Sequence, residues 1–311
     1  MEHRKLTRYL ISLMMILIMV GLAEWTNEKE ILFPEMTALI IGLLIIDKRV
    51  WNVKRWQIIL LMTLGAVAGI CIVRYSPLPY VVNLCAAFVF AGASLLISRA
   101  TLIPLISACV LPVLLHTESI IYPIAVFSMS VSVVLVQIIL EKCGIRNRMP
   151  KSVGRKPGKE DIIRWLILFC FVGALTGLAV SMDYPYLILP PLMVTFVEMV
   201  NSKAGFKNRP TQVFLFLATA ATLGTVLQIV GHHHLHLPES IIALTIAAIL
   251  FLIFEWTGKY FAPAGALAFI PMLLPQEGLG WLPLEASIGA ALFITIAMVV
   301  FQKCYKWNRA Q

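Results

Sequence analysis

The sequence predicts an all-α, polytopic membrane protein. It has about 12 membrane segments laid out as two six-segment repeats, the fifth segment of each short and broken by proline. Three observations predict this. The 311-residue chain is 60% hydrophobic and 13% charged with a mean hydropathy of +0.89, too little charge to cover a soluble domain of this size. The chain is also written twice. Gly21-Leu22-Ala23 recurs as Gly177-Leu178-Ala179 and Pro34 as Pro190, both 156 positions on. Thr63-Leu64-Gly65 recurs as Thr222-Leu223-Gly224, 159 on, and the same offset carries Pro79 to Pro238, Pro104 to Pro263, Pro112 to Pro271, Glu118 to Glu277 and Ser128 to Ser287. The change of offset places a three-residue insertion near Lys207-Asn208-Arg209. Finally, the basic residues gather in alternate loops, the pattern of a multi-pass chain.

Apolar runs fall at roughly 8–25, 31–47, 57–74, 80–98, 101–115 and 119–140 in the first half, and at 162–181, 185–201, 210–230, 238–257, 260–275 and 281–301 in the second. Runs of about 18 residues or more are long enough to span roughly 30 Å of hydrocarbon. The first run follows Arg4, Lys5 and Arg8, as a signal peptide would. Ala23-Glu24-Trp25 is a poor cleavage site, and Gly21-Leu22-Ala23 has its partner inside the chain, so the run is retained as a membrane helix. The domain plan is a first membrane repeat at 1–140, a basic cytoplasmic linker at 141–161 and a second repeat at 162–311.

With the N-terminus inside and every segment crossing, all of the 25 Lys and Arg residues except Lys29 and Arg74 fall inside. This predicts a protein of the cytoplasmic membrane with both termini cytoplasmic. Six crossings per half is an even number, so the halves insert in the same orientation, related by an axis along the membrane normal. The net charge of +9 then reads as topology rather than nucleic-acid binding. The expected partners are the lipid bilayer and a small-molecule substrate, with no nucleic acid; a homo-oligomer is left open. The seven tryptophans, Trp25, Trp51, Trp56, Trp165, Trp256, Trp281 and Trp307, fall near segment ends and read as interface anchors. The six cysteines show no CxxC or paired spacing, so buried reduced thiols are expected, without disulfide or zinc.

The candidate site residues begin with the prolines. Pro34 and Pro190 lie early in the second segments; Pro104, Pro112, Pro263 and Pro271 punctuate the fifth. Proline removes a backbone donor and frees a carbonyl four residues back. Such gaps survive in hydrocarbon only against protein or a water-filled cavity, so matched breaks in two halves either border a substrate site or kink packed helices. Ala262-Pro263-Ala264-Gly265-Ala266 would let backbone approach a ligand or a neighbouring helix. The expected substrate-lining set is Pro34, Pro190, Pro104, Pro263 and Gly265, with Arg99 and Lys259 drawing an anion toward the pathway. Glu35, Glu198 and Glu255 are carboxylates within apolar segments, and Glu198 is the expected proton-coupling residue, against a bland role of reaching to interfacial water. Glu118 and Glu277 are expected to cap the helices that follow. Gly231-His232-His233-His234-Leu235-His236 is read as an outer solvated loop, with no metal and no cofactor assigned. No GxxxxGK[ST], HExxH or GxSxG occurs.

The stretch Tyr260-Phe261-Ala262-Pro263-Ala264-Gly265-Ala266-Leu267-Ala268-Phe269-Ile270-Pro271, followed by Gly278-Leu279-Gly280-Trp281, resembles the integral-membrane HPP family, as does Asn208-Arg209-Pro210-Thr211-Gln212 before an apolar helix. The family's His and first Pro are Phe261 and Ala262 here, and the family carries one such unit where this chain carries two. The resemblance implies a transporter, with a small anion as substrate. The resulting expectation is a secondary transporter or permease, not an enzyme, with its site between the repeats. The alternatives are a membrane-embedded enzyme acting on lipid or polyprenol substrates, or a non-transporting subunit of a membrane complex.

Overall fold

The computed structural model describes residues 2–149, 157–201 and 208–304. Residues 150–156 of the basic stretch predicted as a linker, Lys207 at the predicted insertion, Lys203, and the C-terminal Lys306, Trp307 and Arg309 lie outside them. Regular structure among the described residues is all helical, with no strand. The order is α1 (Glu2–Thr26), α2 (Pro34–Ile40, prolonged by wide π-turns to Ile45), α3 (Arg55–Tyr75), α4 (Tyr80–Ser98), α5 (Pro104–Leu114) and α6 (Ile121–Lys142). It continues with α7 (Lys159–Ser181), α8 (Pro190–Asn201), α9 (Pro210–Val226, prolonged to His234), α10 (Glu239–Thr257), α11 (Ala262–Phe269, prolonged to Met272) and α12 (Leu282–Ile296). Among the described residues, eight helices are long and apolar enough to cross a membrane. The protein is thus all-helical and fits a multi-pass membrane protein.

Both halves run long, short, long, long, short, long. The sequence anticipated short fifth segments; the second segments are equally short, and this corrects the expectation that they are ordinary spans. Proline is the cause. Each of the four short helices carries proline in its first turn, at Pro34, Pro104, Pro190 and Pro263, where the missing amide costs nothing. In three of the four the chain arrives extended, through Phe33 (φ −120°, ψ 88°), Leu189 (φ −52°, ψ 138°) and Phe261 (φ −126°, ψ 103°). Steric conflict with the proline ring favours that conformation at Phe33 and Leu189, which directly precede it. A helix of 11 residues, such as α5, is only about 16 Å long.

The short helices form the core. Every residue of α2, α5 and α11 is buried, and so is all of α8 up to Val200 except the partly accessible Glu198. The long helices sheathe them and turn apolar stripes outward; Leu6, Leu10, Met14, Ile18 and Leu22 mark one such stripe along α1. Contacts across the halves are reciprocal. α1 packs on α10 as α7 packs on α4, and α2 packs on α11 as α8 packs on α5. Two helix ends match as well. Asn27 and Asp183, 156 apart, end α1 and α7 in the left-handed region (φ 56° and 59°), and Arg99 and Gly258, 159 apart, end α4 and α10 there (φ 55° and 63°).

Polar contacts sort the helix ends onto two faces. On one face Arg8 of α1 pairs with Asp47 after α2, Arg55 of α3 pairs with Glu141 of α6, and Gln57 reaches the Ser98 carbonyl at 3.3 Å. Arg146, fully buried at its side chain, donates to the Ile46 carbonyl at 2.9 Å and to Glu141 at 3.4 Å. Burial lowers the Arg146 pKa and the Glu141 carboxylate opposes that. On the same face Lys5 pairs with Glu255 at the end of α10, and Lys259 donates to Gln212 of α9 at 2.8 Å. On the opposite face Arg74 donates to the Glu118 carbonyl at 2.7 Å, and the Glu24 carboxylate accepts the first amides of α10, Glu239 and Ser240, at 3.1 and 3.2 Å.

Several local expectations are corrected. Trp25, Trp56, Trp256 and Trp281 are exposed as anchors should be, but Trp51 and Trp165 are buried, Trp165 against Phe88 and Phe169. Both lie near helix ends, and position along the sequence does not tell which way a ring turns. Glu118 does not cap α6: its carbonyl accepts the Arg74 guanidinium, and Ser119 Oγ accepts the Ile121 amide. Of the described cysteines only Cys109 is buried, because Cys71 and Cys170 lie on outward faces of long helices and Cys143 follows α6. The histidine run continues α9 as helix to His234 rather than forming a loop, and His232 Nδ1 lies 3.1 Å from the Leu237 carbonyl.

Candidate functional site

The four short helices meet around one small cavity with room for about one water molecule. Its lining comes from all four: Glu35 and Ala38 of α2, Pro104 and Ser107 of α5, Pro191, Val194 and Glu198 of α8, and Ala262, Pro263 and Ala266 of α11. The repeat offsets map eight of these ten residues onto one another. Glu35 and Ala38 fall on Pro191 and Val194, and Pro104 and Ser107 fall on Pro263 and Ala266. The cavity therefore lies where equivalent positions of the two halves face one another.

The polar groups are not equivalent. Glu35 is 1% exposed, and its Oε1 accepts the Ser107 hydroxyl. Its Oε2 has no hydrogen-bond partner. Glu35 stands in the first turn of α2, where the positive end of the helix dipole favours negative charge and partly offsets the cost of burial. In the second half the matching residues are Pro191 and Ala266. Glu198 receives the indole N–H of Trp51 at 3.2 Å. Trp51 comes from the loop after α2 and is 3% exposed; its ring lies over Gly42, where a Cβ would come within 2.4 Å of it. Gly42 is the first-half equivalent of Glu198, so the carboxylate of one half answers a space for an aromatic ring in the other.

The proline breaks are handled locally. Pro112, inside α5, leaves the Ala108 carbonyl without its helical donor, and the Tyr122 hydroxyl of α6 supplies one at 3.1 Å. α9 comes so close to α11 that a Cβ on Gly224 would lie 2.1 Å from the Ala268 carbonyl.

Of the residues singled out in the sequence, Pro104, Pro263, Glu35 and Glu198 line the cavity. Pro34 and Pro190 are buried at the starts of α2 and α8, one residue before the lining residues Glu35 and Pro191. Gly265 faces α2, where a Cβ would meet Ile41 at 2.4 Å and Thr37 at 3.1 Å, so α11 packs closely on α2 there. Arg99 is exposed at the end of α4, and Lys259 is tied to Gln212; neither lines the cavity. Glu255 is exposed and bound by Lys5, Tyr9 and Tyr260 at the start of α1 and the end of α10. The sequence reading named Glu35 only as a carboxylate within an apolar segment and left Ser107 unassigned. The available signal was a carboxylate directly after a repeat-matched proline. No protein-family description, curated protein or solved structure matches this chain.

Proposed function

We propose that the chain is a secondary permease for a small solute, built from two six-segment repeats that insert in parallel, with the solute passing where the four short helices meet. The observation that carries this reading is the cavity itself. Its walls come from repeat-equivalent positions of both halves, on proline-started helices too short to span a bilayer alone, and it holds two carboxylates. Short helices with their starts at mid-depth are a recurrent way to build a transport site. A change in how the halves pack would open this cavity to one face and then the other. Each short segment completes its crossing with the residues that lead into it, which brings the count to 12. Glu198 is the proton-coupling group on this reading, held by Trp51 in a position that repacking of the halves would disturb. The small anion that the HPP resemblance implies would meet Arg99 and Lys259 at the cytoplasmic mouth, since no Lys, Arg or His lines the cavity.

The test is flux of a panel of small solutes, anions included, in proteoliposomes under an imposed proton gradient. Gradient-driven accumulation that Glu198→Gln abolishes, while that variant still exchanges solute at equilibrium, is the expected result. Absence of flux for every solute in the panel would remove the permease reading.

A further inference from the structure

We propose that Glu35 and Ser107 form a second proton-binding site, in which Glu35 stands as a neutral carboxylic acid at neutral pH and presents its proton to the central cavity. The proposal deepens the permease reading and rests on it only for its role in transport. An ionised carboxylate buried to 1% exposure needs a counter-charge or a full set of donors. Glu35 has neither. Ser107 gives its single hydroxyl proton to Oε1, and Oε2 has no partner.

The surrounding helices offer no counter-charge. α5 brings Cys109, α6 brings Tyr122, whose hydroxyl donates to the Ala108 carbonyl, and α8 brings Glu198, itself acidic. α11 carries no titratable residue. Of the charges of α1, Lys5 is committed to Glu255, Arg8 to Asp47 and Glu24 to the first amides of α10, and Arg4 is exposed in the first turn of the helix. Glu141 of α6 is held by Arg55 and Arg146 at the end of the bundle.

A metal cation is the other way to neutralise the group. A hard cation asks for about six oxygen ligands. Among the cavity's side chains only Glu35, Ser107 and Glu198 carry oxygen; the others are Ala, Pro and Val. A proton needs one. Placed on Oε2, it turns an unsatisfied buried acceptor into a donor. When that proton leaves, it goes to the water or solute in the cavity, and an equivalent proton passes from that occupant to Glu198. Glu35 belongs to the first half and Glu198 to the second, so the transfer runs across the boundary between them.

Infrared spectroscopy of the purified full-length protein in lipid reads this directly. A carboxylic-acid C=O band present at neutral pH should be lost in Glu35→Gln, retained in Glu198→Gln, and moved to higher frequency in Ser107→Ala, which removes its hydrogen bond. Should Glu35→Gln fail to fold, Glu35→Asp keeps the acid and must shift the band. Spectra of wild type and Glu35→Gln that coincide at neutral pH overturn the proposal. So does a thermal midpoint that rises with sodium but not with choline, and only while Glu35 is present, because that assigns the site to a metal cation. The outcomes stay separable: a band without flux removes the permease reading alone, and flux without the band removes this one alone.

Discussion

Trp51 and Glu198 join the two halves through one hydrogen bond, from indole N–H to carboxylate at 3.2 Å. The donor sits on the loop between α2 and α3, and the acceptor sits on α8, 147 residues away. Trp51→Phe keeps an aromatic ring over Gly42 and removes only the donor. A lost hydrogen bond between buried groups costs about 1 kcal/mol, more where a charge is involved. The expected outcome is a lower unfolding midpoint in detergent, with the same change having no effect in a Glu198→Leu background. Equal effects in both backgrounds would mean that the bond contributes nothing.

Tyr122→Phe should be costly for a different reason. The Ala108 carbonyl, already deprived of its helical donor by Pro112, would be left buried with no partner. The expected loss is about 1–3 kcal/mol. Replacing Pro112 with Ala in the same protein should restore an amide donor and return part of that loss, as read by thermal unfolding.

Gly224→Val tests the close approach of α9 to α11. Its Cβ would stand 2.1 Å from backbone, where no side-chain rotation relieves it. Overpacking of this kind costs about 1–3 kcal/mol or more, seen as low yield of monodisperse protein. Gly21→Ala and Gly177→Ala are matched controls, because neither new Cβ has an atom within 4 Å. Both should be neutral or stabilising by up to about 1 kcal/mol through helix propensity.

Arg99→Gly should stabilise. Arg99 ends α4 at φ 55°, a conformation that L-residues adopt at a cost, while its repeat partner Gly258 adopts φ 63° freely. A gain of about 0.5–1 kcal/mol in thermal unfolding is expected. A decrease would mean that the guanidinium has a partner worth more than the strain.

Single cysteines at Arg99 and Lys259, in a chain stripped of its own, should react with a membrane-impermeant thiol reagent only from the cytoplasmic side of vesicles. Cysteines at Glu118 and Glu277 should react only from the other. Labelling of all four from one side would contradict twelve crossings.

Much of the helix plan was legible in the sequence. Runs such as 57–74 and 80–98 contain nothing that stops a helix, and hydropathy alone outlines α3 and α4. The prolines marked the positions of the short helices but not their length. An extended entry such as Phe33 is as apolar as the helix it precedes, so hydropathy counts both as one span. Depth and direction were hidden for the same reason. The full burial of Glu35 was hidden too, because distance along the sequence does not measure position in the fold: an extended stretch advances more than twice as far per residue as a helix. Trp51 was misread because an indole at a helix end can serve the interface or the interior. What decided between them was Gly42, nine residues away, which offered a hollow for the ring. Pro104 and Pro263, which line the cavity, stood out in the sequence because an imino acid at the head of a helix constrains backbone and recurs at the same offset.

If the repeat reading holds, the exchange of Gly42 for Glu198 carries an evolutionary consequence. A chamber assembled from two first halves would hold Glu35 and Ser107 twice over and lack the other acid entirely. One assembled from two second halves would hold a pair of acids with no hydroxyl beside them and no hollow for an indole. Neither self-pairing recreates the present chemistry. Once each copy had given up what the other kept, the gene fusion could no longer be undone, and the chain was committed to being asymmetric.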